Sequence, residues 1–259
     1  MLGDLAVEPS VELVINGENL GIAQALNVGI RRAVSHGYAY ALLLDQDTQV
    51  DDDMVETLLA IYSSFRDKER LAVIGSHYVG ANAIGVKGQY PETTGREDDA
   101  GQWDEVEAVI TSGSLLPLAA YAVVGLFREE FFIDYVDIDY CLRARAKGYR
   151  VIKTRKQLMS HAIGSPTMHE WLGLKKSTTN HSAERRYYIT RNNTVMLRES
   201  GNYVAGGWAV KSLFRCLRQC KRIVLYERSK AEKIIAVAEG WWDGVRGRMG
   251  PRPPRPPGP

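Results

Sequence analysis

No apolar run in this sequence approaches the roughly twenty residues needed to cross a bilayer, and no charged-then-apolar leader opens it. A spanning or exported chain is not expected. Cysteine is scarce, with only Cys141, Cys216 and Cys220 among 259 residues. The three make neither an even framework nor a metal-ligand spacing with a nearby histidine. A disulfide scaffold is thereby excluded, and reduced thiols in a cytoplasmic protein, soluble or peripheral on the inner membrane face, are expected. A large excess of one charge is also lacking, since the net charge is +2. The balance is uneven, however. Residues 208–248 hold ten Lys and Arg against four Asp and Glu, which is about +6 and leaves about −4 for the remainder. Such a basic end suits an anionic surface or partner, and nucleic acid is not the expected one.

What is present is ordinary globular material, 45% hydrophobic and 25% charged, in a chain long enough for a full core. The stretch that organises it is YAYALLLDQDTQV, Tyr38 to Val50. Its apolar run reads as a buried strand that stops at Asp45 and Asp47. In an open α/β sheet ligands bind beyond the carboxyl ends of parallel strands, so these carboxylates point to the chemistry. VELVIN, Val11 to Asn16, reads as an earlier strand. Between the two, Ile22, Leu26, Gly29, Ile30 and Ala33 recur at helical spacing up to Gly37. This βαβ unit predicts a parallel sheet.

Further along, Asp51 to Asp53 open a helix with Met54, Leu58, Leu59 and Ile61 on its buried stripe. LAVIGSHYV is a strand, Gly80 to Asp104 a long loop, and VEAVITSGSLLP another strand with a kink at Ser112-Gly113-Ser114. A short helix ends near Gly125. From Asp137 a helix pairs Asp139 with Arg143 at i, i+4 and stops at Gly148 before the strand YRVIKT. Beyond His161 the chain turns helical: SAERRYYITRNNTVMLRES is mixed in charge, and residues 208–242 place Leu213, Leu217, Cys220 and Val224 on one face among Arg and Lys. That amphipathic segment fits an anionic membrane face, or equally a helical pair covering the sheet or a homodimer contact. PRPPRPPGP forms a polyproline tail outside any core. The domains expected are 1–165, an α/β unit; 166–248, a helical and basic region; and 249–259, the tail.

Three features carry chemistry. Asp45-Gln46-Asp47 suits a hard divalent cation, Mg²⁺ or Mn²⁺, held by one or two carboxylates together with substrate phosphates. Its bland alternative is a solvated cap for the next helix. Asp134, Asp137 and Asp139 form a second acidic cluster in which a carboxylate at a helix start suits general-base work, against ordinary capping plus an exposed Asp139–Arg143 pair. His161 is chemically reasonable as a further metal ligand, although a lone histidine is more often structural.

In this order, NLGIAQALNVGI, LLLDQD, FFIDYVDIDYCLRARAKGY and SHAIG resemble the family-two glycosyltransferases of GT-A fold, a doubly wound and mostly parallel α/β sheet with, here, a C-terminal helical extension. The likeness is nearest to bacterial rhamnosyltransferases that build O-antigen and other cell-surface polysaccharides. It implies that Asp47 takes the metal while Asp45 faces the ribose and nucleotide. It further implies that Asp137 is the catalytic base, with Val136 standing where relatives carry an acid, and that His161 completes the metal site. Asn19 and Gly21 would line the donor nucleotide; Ser114, Asp139 and Arg191 are candidates for the acceptor or diphosphate. The implied donor is dTDP-L-rhamnose, the acceptor a glycan or polyprenyl-linked hydroxyl. Galactofuranose or glucose donors, a sugar nucleotidyltransferase, and a truncated non-catalytic nucleotide-binding module are the rivals. The family's first strand, with its helix and the following aspartate-bearing strand, is expected to be missing.

Overall fold

The computed structural model describes residues 11–79, 93–97, 101–160, 167–171, 174–178, 180–199 and 207–253. Its centre is a seven-stranded mixed sheet ordered β1-β6-β3-β7-β5-β4, with β2 on the end of β7. The strands are β1 (Tyr40–Leu43), β2 (Gln49–Val50), β3 (Leu71–Val79), β4 (Thr93–Glu97), β5 (Trp103–Val106), β6 (Ser114–Pro117) and β7 (Arg150–Ser160). Strands β3 and β7 pair in parallel, while β6 lies antiparallel to both β1 and β3, and β5 antiparallel to β7 and β4. Hence β1, β3, β4 and β7 share one direction. A separate antiparallel hairpin joins β8 (Thr167–Trp171) to β9 (Leu174–Thr178).

Strand periodicity sends alternate side chains to opposite faces, and the core divides accordingly. Ala72, Leu116 and Val151 join one apolar cluster with α1 (Ile22–Ser35), α3 (Leu118–Val124) and α4 (Val136–Ala146). Leu71, Ile74, Leu115 and Ile152 join the other, with Met54, Leu58 and Ile61 of α2 (Met54–Ser64). The sheet is covered on both faces, the doubly wound arrangement expected. Three further helices follow: α5 (Ala183–Glu199), α6 (Gly207–Tyr226) and α7 (Lys230–Arg246).

Three expectations about elements change. VELVIN has no strand partner among the described residues; Val11, Leu13, Val14 and Ile15 are 41–81% exposed, and the segment is tied to α1 through the Glu12–Arg32 ion pair at 2.7 Å. An apolar run without a neighbouring edge gains no ladder. Within the stretch read as a long loop, β4 and the first residues of β5 are strands, Trp103 lying 5.1 Å from the Phe65 ring. Of VEAVITSGSLLP, Val106 ends β5 and only Ser114–Pro117 form a strand, β6; the residues between are an irregular connection rather than one kinked strand. Its Gly113 N–H donates to Leu43 O at 2.7 Å, and its carbonyl accepts from Ser76 N, so the chain turns there from β5 to β6. The Pro-rich tail lies largely outside the described residues.

Candidate active site

The Asp45-Gln46-Asp47 turn is fixed by its backbone. Ser112 Oγ accepts from Asp45 N–H at 3.1 Å and lies 2.6 Å from Thr48 Oγ1, while Thr48 N–H donates to Asp45 O at 3.1 Å. Just beyond, Gln49 pairs with Ser160 and Val50 with Met159. The turn is thus strapped to the carboxyl end of β7. Asp47 is exposed and Asp45 half-buried. His161, which follows Ser160, lies outside the described residues.

Asp137 sits in the first turn of α4, its Oδ1 accepting from Ile138 N–H at 2.8 Å. Its side chain lies at the positive end of the helix dipole. The backbone entering this turn is strained: Phe132, Asp134 and Tyr135 have φ of 65°, 62° and 66°. Each such residue costs on the order of 1–3 kcal/mol and persists only where its surroundings over-determine it. Here α5 does so. Asn192 Nδ2 donates to Phe131 O, Ile133 O and Asp134 O at 3.0, 2.8 and 2.8 Å. Tyr135 O–H donates to Asn193 Oδ1 at 3.0 Å, and Arg185 grips the Asp134 carboxylate at 3.1–3.2 Å.

From the other side, Ile22 N–H donates to Phe132 O at 2.7 Å. Gly21 has φ +79°, and a Cβ there would stand 2.6 Å from Phe132 O. No side chain fits that position, so the Asn19–Gly21 turn lies directly against the segment that leads to Asp137. Asn19 Oδ1 accepts the Gly21 N–H at 3.0 Å and shapes the turn.

Topology brings these pieces to one edge. Helix α1 is linked through a short turn at Gly37 to β1, so its amino end lies over the carboxyl end of β1, where Asp45 and Asp47 emerge. Helix α4 is linked by Lys147–Tyr149 to β7, so its amino end, with Asp137, lies toward the carboxyl end of β7. Strands β1 and β7 run the same way. Asn19, Gly21, Asp45, Asp47 and Asp137 therefore share the carboxyl side of the sheet.

The three acids of the second cluster separate by their partners. Asp134 is held by Arg185; burial raises its proton affinity and the guanidinium opposes that. Asp139 is fully buried, its Oδ2 2.7 Å from Arg143 Nε and its Oδ1 3.6 Å from Arg128, with the same two opposing influences on its carboxyl. The surface pair expected for Asp139–Arg143 is an interior one, and Asp139 is closed to an acceptor. Arg191 is also closed: it is fully buried, with its guanidinium on Glu130 O, Phe131 O and Gly250 O. Ser114 is 1% exposed and donates to Ile110 O at 2.5 Å. The contacts with acceptor or diphosphate anticipated for Ser114, Asp139 and Arg191 give way to framework roles. Ser112 and Asn192, which hold the two site segments, were marked in the sequence only as part of the Ser112-Gly113-Ser114 kink and of RRYYITRNN, not for this role. The signal that could have found it is polarity where burial is required.

Among the described residues no group of three or more His, Cys, Asp or Glu side chains is placed to hold a metal ion. Asp45 and Asp47 supply hard oxygen donors on a fixed turn, which fits a cation that takes one or two carboxylates and completes its shell with phosphate and water.

The glycosyl transferase family 2 model matches residues 4–110, spanning both the Asn19–Gly21 and Asp45–Asp47 turns. A dTDP-rhamnosyl transferase of Shigella flexneri, RfbF, is 30% identical over 255 residues, covering 95% of this chain and 82% of that protein. The chain belongs to glycosyl transferase family 2. An uncharacterized Mycobacterium tuberculosis protein, Rv1525, is 28% identical to this family member over 160 residues, 61% of this chain and 59% of that one. Among solved structures, S. aureus TarS superimposes with a TM-score of 0.53 at 15% identity, covering 90% of this chain and 38% of that one. For TarS 1–349 the values are 0.51, 14%, 90% and 63%. The chain spans under two thirds of either TarS structure, and the likeness establishes the GT-A-like α/β fold of this transferase-family member.

Proposed function

We propose that this chain is an inverting sugar transferase that moves L-rhamnose from dTDP-L-rhamnose to a hydroxyl of a lipid-linked or polysaccharide acceptor, working at the cytoplasmic face of a membrane. What supports the reading is that the Asp45–Asp47 turn and the amino end of α4, where Asp137 sits, lie toward the same carboxyl side of the sheet in a family 2 chain. The relative named as a dTDP-rhamnosyl transferase supports the choice of donor.

Asp137 takes the proton from the attacking hydroxyl. The freed oxygen bonds to the anomeric carbon from the face opposite the diphosphate, the bond from that carbon to the diphosphate oxygen breaks, and dTDP departs. The configuration inverts, and no covalent enzyme intermediate is needed. Asn19 and Gly21 line the nucleotide, and Asp45 faces its ribose. Asp47, joined by His161, would hold a divalent cation that neutralises charge on the leaving diphosphate.

The test is nucleoside diphosphate release across dTDP- and UDP-sugars with an acceptor glycan. The reading expects dTDP-rhamnose to be preferred. Asp137→Asn should lower turnover by about 10²–10⁴-fold, the usual contribution of a positioned base, without a matching loss of donor binding. Full turnover in Asp137→Asn would remove the base assignment. Preference for a UDP-sugar would replace the donor, and pyrophosphate as the released product would replace transfer by nucleotidyl chemistry.

A further inference from the structure

Helix α6 contains five Lys and Arg and no acidic residue in twenty positions. Its inner side is fixed to the protein: Ser212 is fully buried and bonds Asn193, Cys216 Sγ accepts from Asn193 Nδ2 at 2.9 Å, and Ile223 is fully buried. On the outer side Val210, Leu213, Phe214, Leu217, Val224 and Leu225 recur at spacings of three and four, and each is more than half exposed. Arg218 and Lys221 stand exposed on the same helix. The stripe therefore does not cover the sheet.

We infer that α6 is an in-plane docking helix for an anionic lipid surface, its apolar stripe entering the boundary of head groups and acyl chains with the cations among the head-group phosphates. This rests on the proposed work at a membrane face and names the surface that achieves it. Charge decides the occupant. A second copy laid against this face would bring two basic helices together with no acid on either, whereas anionic head groups complement every cation. A strongly apolar stripe beside a basic one, in a helix of low overall hydrophobicity, lies in the interface instead of crossing it. Consistent with that, no helix among the described residues is long and apolar enough to span.

The experiment is flotation of the full chain with phosphatidylglycerol-containing and pure phosphatidylcholine vesicles, at low and high salt, without sugar donor. Two variants accompany it, Leu213→Asp/Leu217→Asp and Arg218→Glu/Lys221→Glu, all at exposed positions, with circular dichroism to verify folding. Anionic vesicles should bind the wild type at low salt, and high salt, neutral lipid or either double variant should weaken binding about tenfold or more. Absence of binding to anionic vesicles at low salt would overturn the inference, as would binding indifferent to both variants. So would a wild-type dimer that the leucine variant converts to monomer. Transfer to a soluble acceptor, measured on the same samples, keeps the two readings apart: intact transfer without vesicle binding sinks the docking alone, and vesicle binding without transfer sinks the reaction alone.

Discussion

Asn192 holds three carbonyls of a strained backbone with one side-chain amide, at 2.8–3.0 Å, and is itself fully buried. Replacing it with leucine keeps the volume and removes the donors. Each orphaned buried acceptor costs about 1–3 kcal/mol, so Asn192→Leu should lower unfolding free energy by at least about 2 kcal/mol in urea titrations. Turnover should fall further than the folded fraction does, because Asp137 begins the helix that this segment aims. Equal losses would show the clamp to be purely structural. His181 gives a prediction in pH. It is 6% exposed beside Arg185, Arg186 and Lys233, and burial with those cations pushes its pKa down to about 3. The unfolded chain binds the proton near the ordinary value of about 6.5. The unfolded state then holds more protons between these limits, so stability is full above about 6.5 and falls as pH drops toward 3. In His181→Gln the slope of urea midpoint against pH should flatten over that window. At this scale the sequence was legible in type but not in role: it grouped Asp134, Asp137 and Asp139, and only the positions of Arg185, Arg128 and Arg143 set Asp134 and Asp139 apart as acids held by arginines.

Helix α7 meets α5 so closely that glycine is required at the crossing. A Cβ on Gly240 would lie 2.4 Å from Tyr187 O, and one on Gly244 would lie 2.7 Å from Thr194 Cβ. In an exposed helix, alanine for glycine stabilises by up to about 1 kcal/mol. Here it must push against backbone, and overpacking costs about 1–3 kcal/mol. Gly240→Ala should therefore lower the melting temperature in calorimetry; a rise would mean that the helices part freely. Periodicity made α1 and α2 legible because each buries a stripe, and Gly37 and Gly148 marked where α1 and α4 stop. It marked α5 as a helix of mixed charge but could not foresee that Arg186, Thr190, Asn192, Asn193 and Thr194 are buried, because polar partners await them. It placed a kink at Ser112-Gly113-Ser114 but could not tell that strand pairing starts only at Ser114, since an apolar run reads alike in a strand and in a buried connection.

Across the whole molecule, the sheet and the C-terminal helices share interactions that neither keeps alone. The change of composition near residue 165 suggested a boundary, yet Arg185 pairs with Asp134, Arg128 with Glu199 at 2.5 Å, and Arg191 with the carbonyls of Glu130 and Phe131. Farther from the sheet, Glu227 is buried between Arg186 and Lys233, the latter at 2.9 Å. Long-range pairing of this kind leaves no periodic trace, which is why the support behind Asp137 was hidden while the Asp45–Asp47 turn, placed by one apolar strand, was plain. Parting the helices from the sheet would break the Arg185–Asp134 pair and deprive Arg191 of its acceptors. Breaking one buried pair already costs about 3–5 kcal/mol, a large share of the roughly 5–15 kcal/mol that holds a domain together. A state with the sheet intact and α5–α7 unfolded should be too costly to populate. In hydrogen exchange followed by mass spectrometry across a denaturant series, peptides from β3 and β7 should lose protection at the same concentration as those from α5 and α7. Earlier loss in the helices, with the sheet still protected, would show two cooperative units and would detach the aim of Asp137 from the stability of the sheet.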